Sequence, residues 1–291
     1  MRFDPSQLET LVAIAEEGTF EAAARRLHLT PSAVSQRIRA LESAAGKVLV
    51  RRTIPAGVTE AGEPLLRLGR QLQLLAAEAE VDLDDHGVIN LPVAVNADSL
   101  ATWFRPVLTS VADHGAIALR LFIEDQAYSH DLLRRGEVLA AVTDNPQPVQ
   151  GCVAQSLGTL RYTACAARSL VERWRHGRSV DWSVMPMVVV NEKDHLQDQL
   201  LQTLGTTRPP IVHRVPSVAD FFAAISCGLG WGLIPELQAT PAINDEQLVS
   251  LPGAKPVNVE LYWQRWRLDS PTLATLTDDV LGAARQLRRS R

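Results

Sequence analysis

Residues 19–46, TFEAAARRLHLTPSAVSQRIRALESAAG, constrain this chain more than any other stretch. Phe20, Ala23, Ala24 and Leu27 recur at i, i+3, i+4 and i+7, which makes one face of a helix. Thr30 followed by Pro31 reads as an N-cap with Pro at the first helical position. The second helix is predicted from Pro31 to about Ala45, with Val34, Ile38 and Leu41 on its buried face. Ser32, Ser35, Gln36 and Arg39 lie on the opposite face. Two short helices around a tight break, the second polar on its outer side, make a helix-turn-helix suited to a DNA major groove.

The competing reading is an ordinary helical hairpin whose polar face is merely solvated. Local charge argues against it. Residues 19–58 hold seven basic side chains (Arg25, Arg26, Arg37, Arg39, Lys47, Arg51, Arg52) and two acidic ones (Glu21, Glu42), in a chain of net charge −4. A basic island in an acidic protein is the electrostatic footprint of phosphate contact. The candidate DNA contacts are Thr30, Ser32, Ser35, Gln36, Arg39 and Arg26, with Arg51 and Arg52 beside the backbone.

The flanking segments agree. Leu8, Leu11, Val12 and Ala15 give an earlier helix face, stopped at Gly18. KVLVRRTIPAGVT reads as two short strands around Pro55-Ala56-Gly57, a wing. Thr59 then caps a long helix predicted from Glu60 to about Asp82. Leu65, Leu68, Leu72, Leu75 and Ala79 follow a 3-4 spacing, the seam of a helix that pairs with its copy. The same seam could pack on the chain's own core. The domain boundaries are therefore 1–58 for the winged helix-turn-helix, 59–86 for the linker helix and 87–291 for a third region.

That third region is α/β. INLPVAV (89–95) is a near-continuous apolar run, as in buried parallel strands. A helix from about Ser99 to Ala112, the strand 118–124, a helix over 129–135 and the strand 138–143 follow. This alternation implies a parallel sheet with right-handed crossovers. A second unit begins near Arg161, with strand candidates at 187–190, 211–215, 231–235 and 257–263 and a final helix over 272–288, capped by Ser270-Pro271. An enzymatic reading finds little support. The glycines of GLGWG (228–232) follow a helix and precede a strand, the reverse of a dinucleotide loop. Gly228 is read as a helix stop and the others as a tight turn.

At 291 residues the chain suggests about two domains. No apolar run reaches the ~20 residues of a membrane span, and MRFDPSQLET has no signal-peptide core. A cytoplasmic location is expected. Cys152, Cys165 and Cys227 are far apart and read as free, partly buried thiols. The seven histidines form no metal-ligand spacing, so neither metal nor cofactor is expected.

FEAAARRLHLTPSAVSQRIRALESAAG resembles the winged helix-turn-helix of the LysR-type transcriptional regulators. VNADSLATWF (95–104), LRRGEVLAAVT (133–143), GLGWGLIPE (228–236) and YWQRW (262–266) resemble the basic amino-acid-responsive branch of that family, called ArgP, LysG or IciA. The likeness runs over essentially the full chain and is weakest at about 165–215. It implies two Rossmann-like lobes resembling a type 2 periplasmic binding protein. Lobe 1 would be about 87–161 and 265–291, with the final helix returning to it, and lobe 2 about 162–264. It implies double-stranded DNA, a homodimer or a tetramer on DNA, and RNA polymerase as partners, and control of a basic amino-acid exporter gene. Lysine or arginine would be the small-molecule effector. The rival readings are an effector-independent inhibitor of replication initiation, and an amino-acid-binding or catalytic α/β domain merely tethered to DNA.

Asn96, Asp98 and Ser99 lie where the first strand gives way to a helix, the usual ligand edge of an open α/β sheet. Helix N–H groups there could take an amino acid's carboxylate, with the Ser99 hydroxyl assisting. Plain N-capping by Asp98 or Ser99 accounts for the same residues. A cationic ligand also needs carboxylates, and Glu124, Asp125 and Asp144 stand with Asp98 at strand ends. Ser217 and Asp220 are the weaker candidates from the second lobe. Trp103 and Trp231 are read as core before cleft.

Overall fold

The computed structural model describes residues 2–83, 87–124, 126–177, 179–192 and 194–288. It begins with α1 (Pro5–Glu17), α2 (Phe20–Arg26) and α3 (Pro31–Ala45). Local chemistry sets their ends. Asp4, Thr19 and Thr30 accept the free N–H groups of Ser6, Ala22 and Ala33. Gly18 and Gly46 close α1 and α3 in the left-handed region, at φ of 69° and 70°. Leu8, Leu11, Val12, Ile14, Val34, Ile38 and Leu41 are buried together in one core. The wing is β1 (Val50–Arg51) paired antiparallel with β2 (Gly57–Val58).

The linker helix α4 spans Glu63–Leu83. It starts three residues later than the predicted Glu60, because the Thr59 hydroxyl and carbonyl take the Gly62 N–H and hold a turn first. A Cβ on Gly69 would sit 2.8 Å from Val12 Cγ2 and 3.1 Å from the Leu8 carbonyl oxygen. Only glycine lets α4 approach α1 so closely.

Next come β3 (Ile89–Val95), α5 (Ala97–Ala101), α6 (Arg105–His114), β4 (Ile117–Ile123), α7 (Gln126–Arg134) and β5 (Ala140–Thr143). β3 pairs in parallel with both β4 and β5. The helix predicted over 99–112 is broken in two. Trp103 and Phe104 are fully buried edge to face, with ring centroids 5.6 Å apart, and fill the break. Pro106 then enters α6 in its first turn, where the missing N–H costs nothing.

The rest of the chain holds β6 (Cys152–Ala166), α8 (Arg168–Arg173), β7 (Arg175–His176), β8 (Ser179–Val180), β9 (Met187–Val189), α9 (Leu196–Thr203) and β10 (Val212–Arg214). After these come α10 (Val218–Ser226), β11 (Gly232–Pro235), α11 (Glu236–Asn244), β12 (Val249–Ser250), β13 (Val257–Trp266), α12 (Pro271–Ala283) and α13 (Arg285–Arg288). Ser270 caps α12 as expected, its hydroxyl accepting the Leu273 N–H. Gly228, at φ of 80°, follows α10 as the helix stop read from GLGWG. The 15-residue strand β6 was not foreseen beyond a boundary near Arg161. Gly158, at φ of 124°, breaks its alternation in the middle.

Two compact units divide the chain. One comprises Met1–Val95, Leu108–Gln155 and Trp263–Asp279; the other comprises Asn96–Val107, Ser156–Tyr262 and Val280–Arg291. The expected lobe boundaries differ from this. Residues 96–107 fall in the second unit, and so does the chain end, where Arg288 donates to the Ser156 and Leu157 carbonyls. Strand order is β4-β3-β5-β13 in the first unit and β13-β6-β11 in the second; β6 and β13 have residues in both. No helix among the described residues is long and apolar enough to cross a membrane.

The first unit contains an ion cluster absent from the sequence expectations. Arg70 of α4 is only 6% exposed, and its Nη1 lies 2.6 Å from Glu16 Oε1 of α1. The same carboxylate meets Arg26 of α2, and Arg120 of β4 at 3.3 Å. Burial alone would raise the Glu16 pKa, but Arg70 and Arg26 outweigh it and hold the carboxyl below its ordinary range. Burial in turn pushes the Arg70 pKa down. A buried cation left without its partner is costly, so Glu16→Gln should destabilise the protein by about 3–5 kcal/mol. Because the folded pKa of Glu16 is depressed, its contribution is complete above the unfolded value and fades as pH falls through the folded one. Urea unfolding of both proteins from pH 7 to pH 3 checks this: the gap between them should narrow toward acid, and a constant gap would contradict the assignment.

Candidate nucleic-acid interface and effector segment

Helix α3 presents Ser32, Gln36 and Arg39 as exposed side chains, with Ser35 half-buried beside them. Gln36 and Arg39 make no hydrogen bond among the described residues, and both have donors suited to base edges and phosphates. Thr30 is largely spent on structure, since its hydroxyl caps α3 and lies 2.9 Å from Ser32 Oγ. Arg26 is turned toward Glu16 and Glu17, a correction to its place among the contacts expected to face DNA. In the wing, Arg51 and Arg52 are exposed. The Arg52 guanidinium sits 5.1 Å from the centroid of the Phe20 ring, so cation–π contact fixes its stem near α2.

The predicted seam of α4 divides by position. Leu65 is buried in the chain's own core, and Leu68 and Leu72 pack partly against it. Leu75 is 37% exposed, Ala79 is exposed and Leu83 is 88% exposed. The apolar surface open to a second chain is thus the C-terminal half of the helix.

In the second unit, Asn96 occupies the N-cap position of α5 but makes no side-chain cap bond. Its Oδ1 is buried without a hydrogen-bond partner among the described residues, and so is the Ser99 Oγ. The capping explanation for Ser99 therefore fails. Asp98 is half-buried, and its Oδ2 accepts the Tyr162 hydroxyl of β6 at 2.9 Å. Tyr162 itself is 1% exposed. Nothing in the sequence marks it, because an aromatic in an unforeseen strand carries no local signal. Helix α5 has five residues and carries Asp98 in its first turn, which opposes an anion at its N-terminus. Helices α5 and α10 are in contact. At the start of α10, Ser217 spends its hydroxyl on the Asp220 N–H, and Asp220 is exposed.

In the first unit, Glu124 and Asp144 are half-buried just past the ends of β4 and β5. Asp125 lies outside the described residues. Trp103 and Trp231 are fully buried, the latter edge-on to Trp182 at 5.0 Å, so both belong to the core. All three cysteines are free, with Cys152 and Cys165 buried and Cys227 exposed. Burial pushes the Cys152 and Cys165 thiols up to about 12. Among the described residues, no three His, Cys, Asp or Glu side chains are grouped to hold a metal ion.

Comparison with known proteins places these features in context. Residues 5–63 match the family described as bacterial regulatory helix-turn-helix protein, lysR family, and residues 90–285 match the LysR substrate binding domain. The chain is 46% identical to the lysine export transcriptional regulatory protein LysG of Corynebacterium glutamicum, over 97% of this chain and 98% of that one. A full-length structure of the Corynebacterium glutamicum LysG with bound effector Arg is similar at a TM-score of 0.80 and 45% identity, covering 97% of this chain and 98% of that chain. The crystal structure of ArgP from Mycobacterium tuberculosis is similar at a TM-score of 0.86 and 42% identity, covering 98% of each chain. With both of its regions matched and with relatives this similar along nearly its whole length, this chain belongs to the LysR family of DNA-binding transcriptional regulators.

Proposed function

We propose that this regulator responds to a basic amino acid, lysine or arginine, and controls a gene for basic amino-acid export. The observation that carries the proposal is the acceptor-rich segment Asn96–Ser99, with Asp98 pinned by Tyr162, in a chain so similar to a regulator holding arginine. In the second unit Asp98 supplies negative charge of the kind a cationic ligand requires; Glu124 and Asp144, in the first unit, are further candidates to be tested one by one. Effector and DNA are coupled by linkage: whatever arrangement the effector favours is the arrangement in which DNA affinity is read. Inside the first unit, β3 pairs along its whole length with β4, whose Arg120 reaches Glu16. Glu16 also holds Arg26 of the helix-turn-helix. The protein acts as a homodimer, or as a tetramer on DNA, and recruits RNA polymerase.

Three expected outcomes follow from this reading. Gln36→Ala should cost ~1–3 kcal/mol on operator DNA and little on random DNA, since it removes base readout. Arg51→Ala should weaken both alike and flatten the salt dependence. Titrating both DNAs across salt checks the pair, and equal losses for Gln36→Ala would remove it from base recognition.

Leu75→Lys places a charge in the exposed half of the α4 seam without touching the chain's own core, unlike a change at Leu72. It should yield folded monomer with little operator affinity. Light scattering is decisive here, and a variant still dimeric at micromolar concentration would move the interface elsewhere.

Asp98→Asn, Glu124→Gln and Asp144→Asn each test one carboxylate at nearly constant shape. The engaged ones should lose ~2–5 kcal/mol of lysine or arginine binding. Norleucine, which lacks the side-chain cation, should bind far more weakly than lysine. If calorimetry shows all three variants binding like wild type, these carboxylates do not form the site.

A further inference from the structure

Resting on that reading, we infer that the Asn96–Ser99 segment takes the α-ammonium group of the effector, and not its carboxylate, with Tyr162 as the residue that positions Asp98. Asn96 Oδ1 is an acceptor, Asp98 is a carboxylate, and the Ser99 hydroxyl can accept. Asn96 and Ser99 are 3% and 0% exposed, and the two oxygens have no hydrogen-bond partner among the described residues. Burying polar atoms in this way is unfavourable unless a water or a ligand satisfies them, and a ligand's ammonium can replace such a water.

The one charge in the segment, on Asp98, is negative. An anion placed here would meet the Asp98 carboxylate in the first turn of a helix only five residues long. The geometry also separates two kinds of cation. A guanidinium is a planar fork that pairs best with both oxygens of one carboxylate. Asp98 Oδ2 already receives the Tyr162 hydroxyl at 2.9 Å, so a guanidinium fork would have to share that oxygen with the phenol. An ammonium is a compact charge with three N–H donors, and three separate acceptors suit it. Lysine and arginine differ at the distal end and share the α-ammonium. A segment that reads the shared group explains how one site admits both, leaving discrimination to residues farther along the side chain.

Tyr162 acts through Asp98. The phenol comes from β6, is itself 1% exposed, and fixes one carboxylate oxygen, so the side chain is held before ligand arrives. Its neighbour Thr102 donates to the Asp98 carbonyl at 2.5 Å and holds the backbone of the same residue. Pre-set acceptors cost less ordering on binding than mobile ones.

The test uses the full chain and three ligands: arginine, agmatine (no carboxylate) and 5-guanidinopentanoate (no α-ammonium). Wild type should bind agmatine more tightly than 5-guanidinopentanoate. Ser99→Ala and Tyr162→Phe should each weaken arginine and agmatine by about tenfold, while 5-guanidinopentanoate, which has no group to lose there, should be unaffected. Tyr162→Phe keeps the ring and the strand, so a general loss of structure would weaken all three ligands together. Equal losses on all three, or losses confined to the two ligands bearing a carboxylate, overturn the orientation while leaving a basic amino-acid effector in place. Failure of wild type to bind either lysine or arginine overturns the functional reading itself, and this inference with it.

Discussion

One carboxylate holds the first unit together electrostatically. Glu16 is the meeting point of Arg70 from the linker helix, Arg26 from the helix-turn-helix and Arg120 from a strand of the α/β sheet. Three guanidinium groups around a single acid leave no slack: each competes for the same two oxygens, and Arg70 cannot turn to water. Ion pairs of this kind add little net stability compared with apolar packing, yet they strongly oppose any arrangement that separates the partners. Their effect is to fix which surfaces of α1, α2, α4 and β4 face one another.

That cluster also shows where sequence reading ends. The end of α1 and the start of α3 were legible because caps are local: Gly18 and Thr30 act within a turn of their own position. Strand β3 was legible because it is apolar on both faces. Arg70 was not, because an arginine in an amphipathic helix reads as surface. It is buried where Gly69, one residue earlier, lets α1 lie close against α4. The break between α5 and α6 depends on two rings finding a core, and β6 is disguised by Gly158. All three are tertiary effects with no periodic signature.

At the candidate effector segment the sequence marks the strand end but not the length of the helix that follows. Asn96, Asp98 and Ser99 were identified from their position at a strand end, and the helix was expected to supply the positive pole for an anion. The structure shortens that helix to five residues and leaves the segment's acceptors as its chemistry. Tyr162 was out of reach for the same reason as its strand. On the DNA side the reading of α3 holds residue by residue for burial, while Arg26 is diverted inward by an acid ten positions earlier.

The division of α4 bears on how the molecule is made. Leu65 and Leu66 complete a core that α1, α2, α3 and the wing already form, and nothing from another molecule is needed to close it. The N-terminal region can therefore reach its final fold as soon as the first turns of α4 have left the ribosome. If two chains pair through the exposed leucines farther along, as proposed above, that pairing is a later event set by concentration, and not a condition for folding. A cell holding few copies would contain correctly folded single chains waiting for a partner, instead of unfolded ones exposed to proteases.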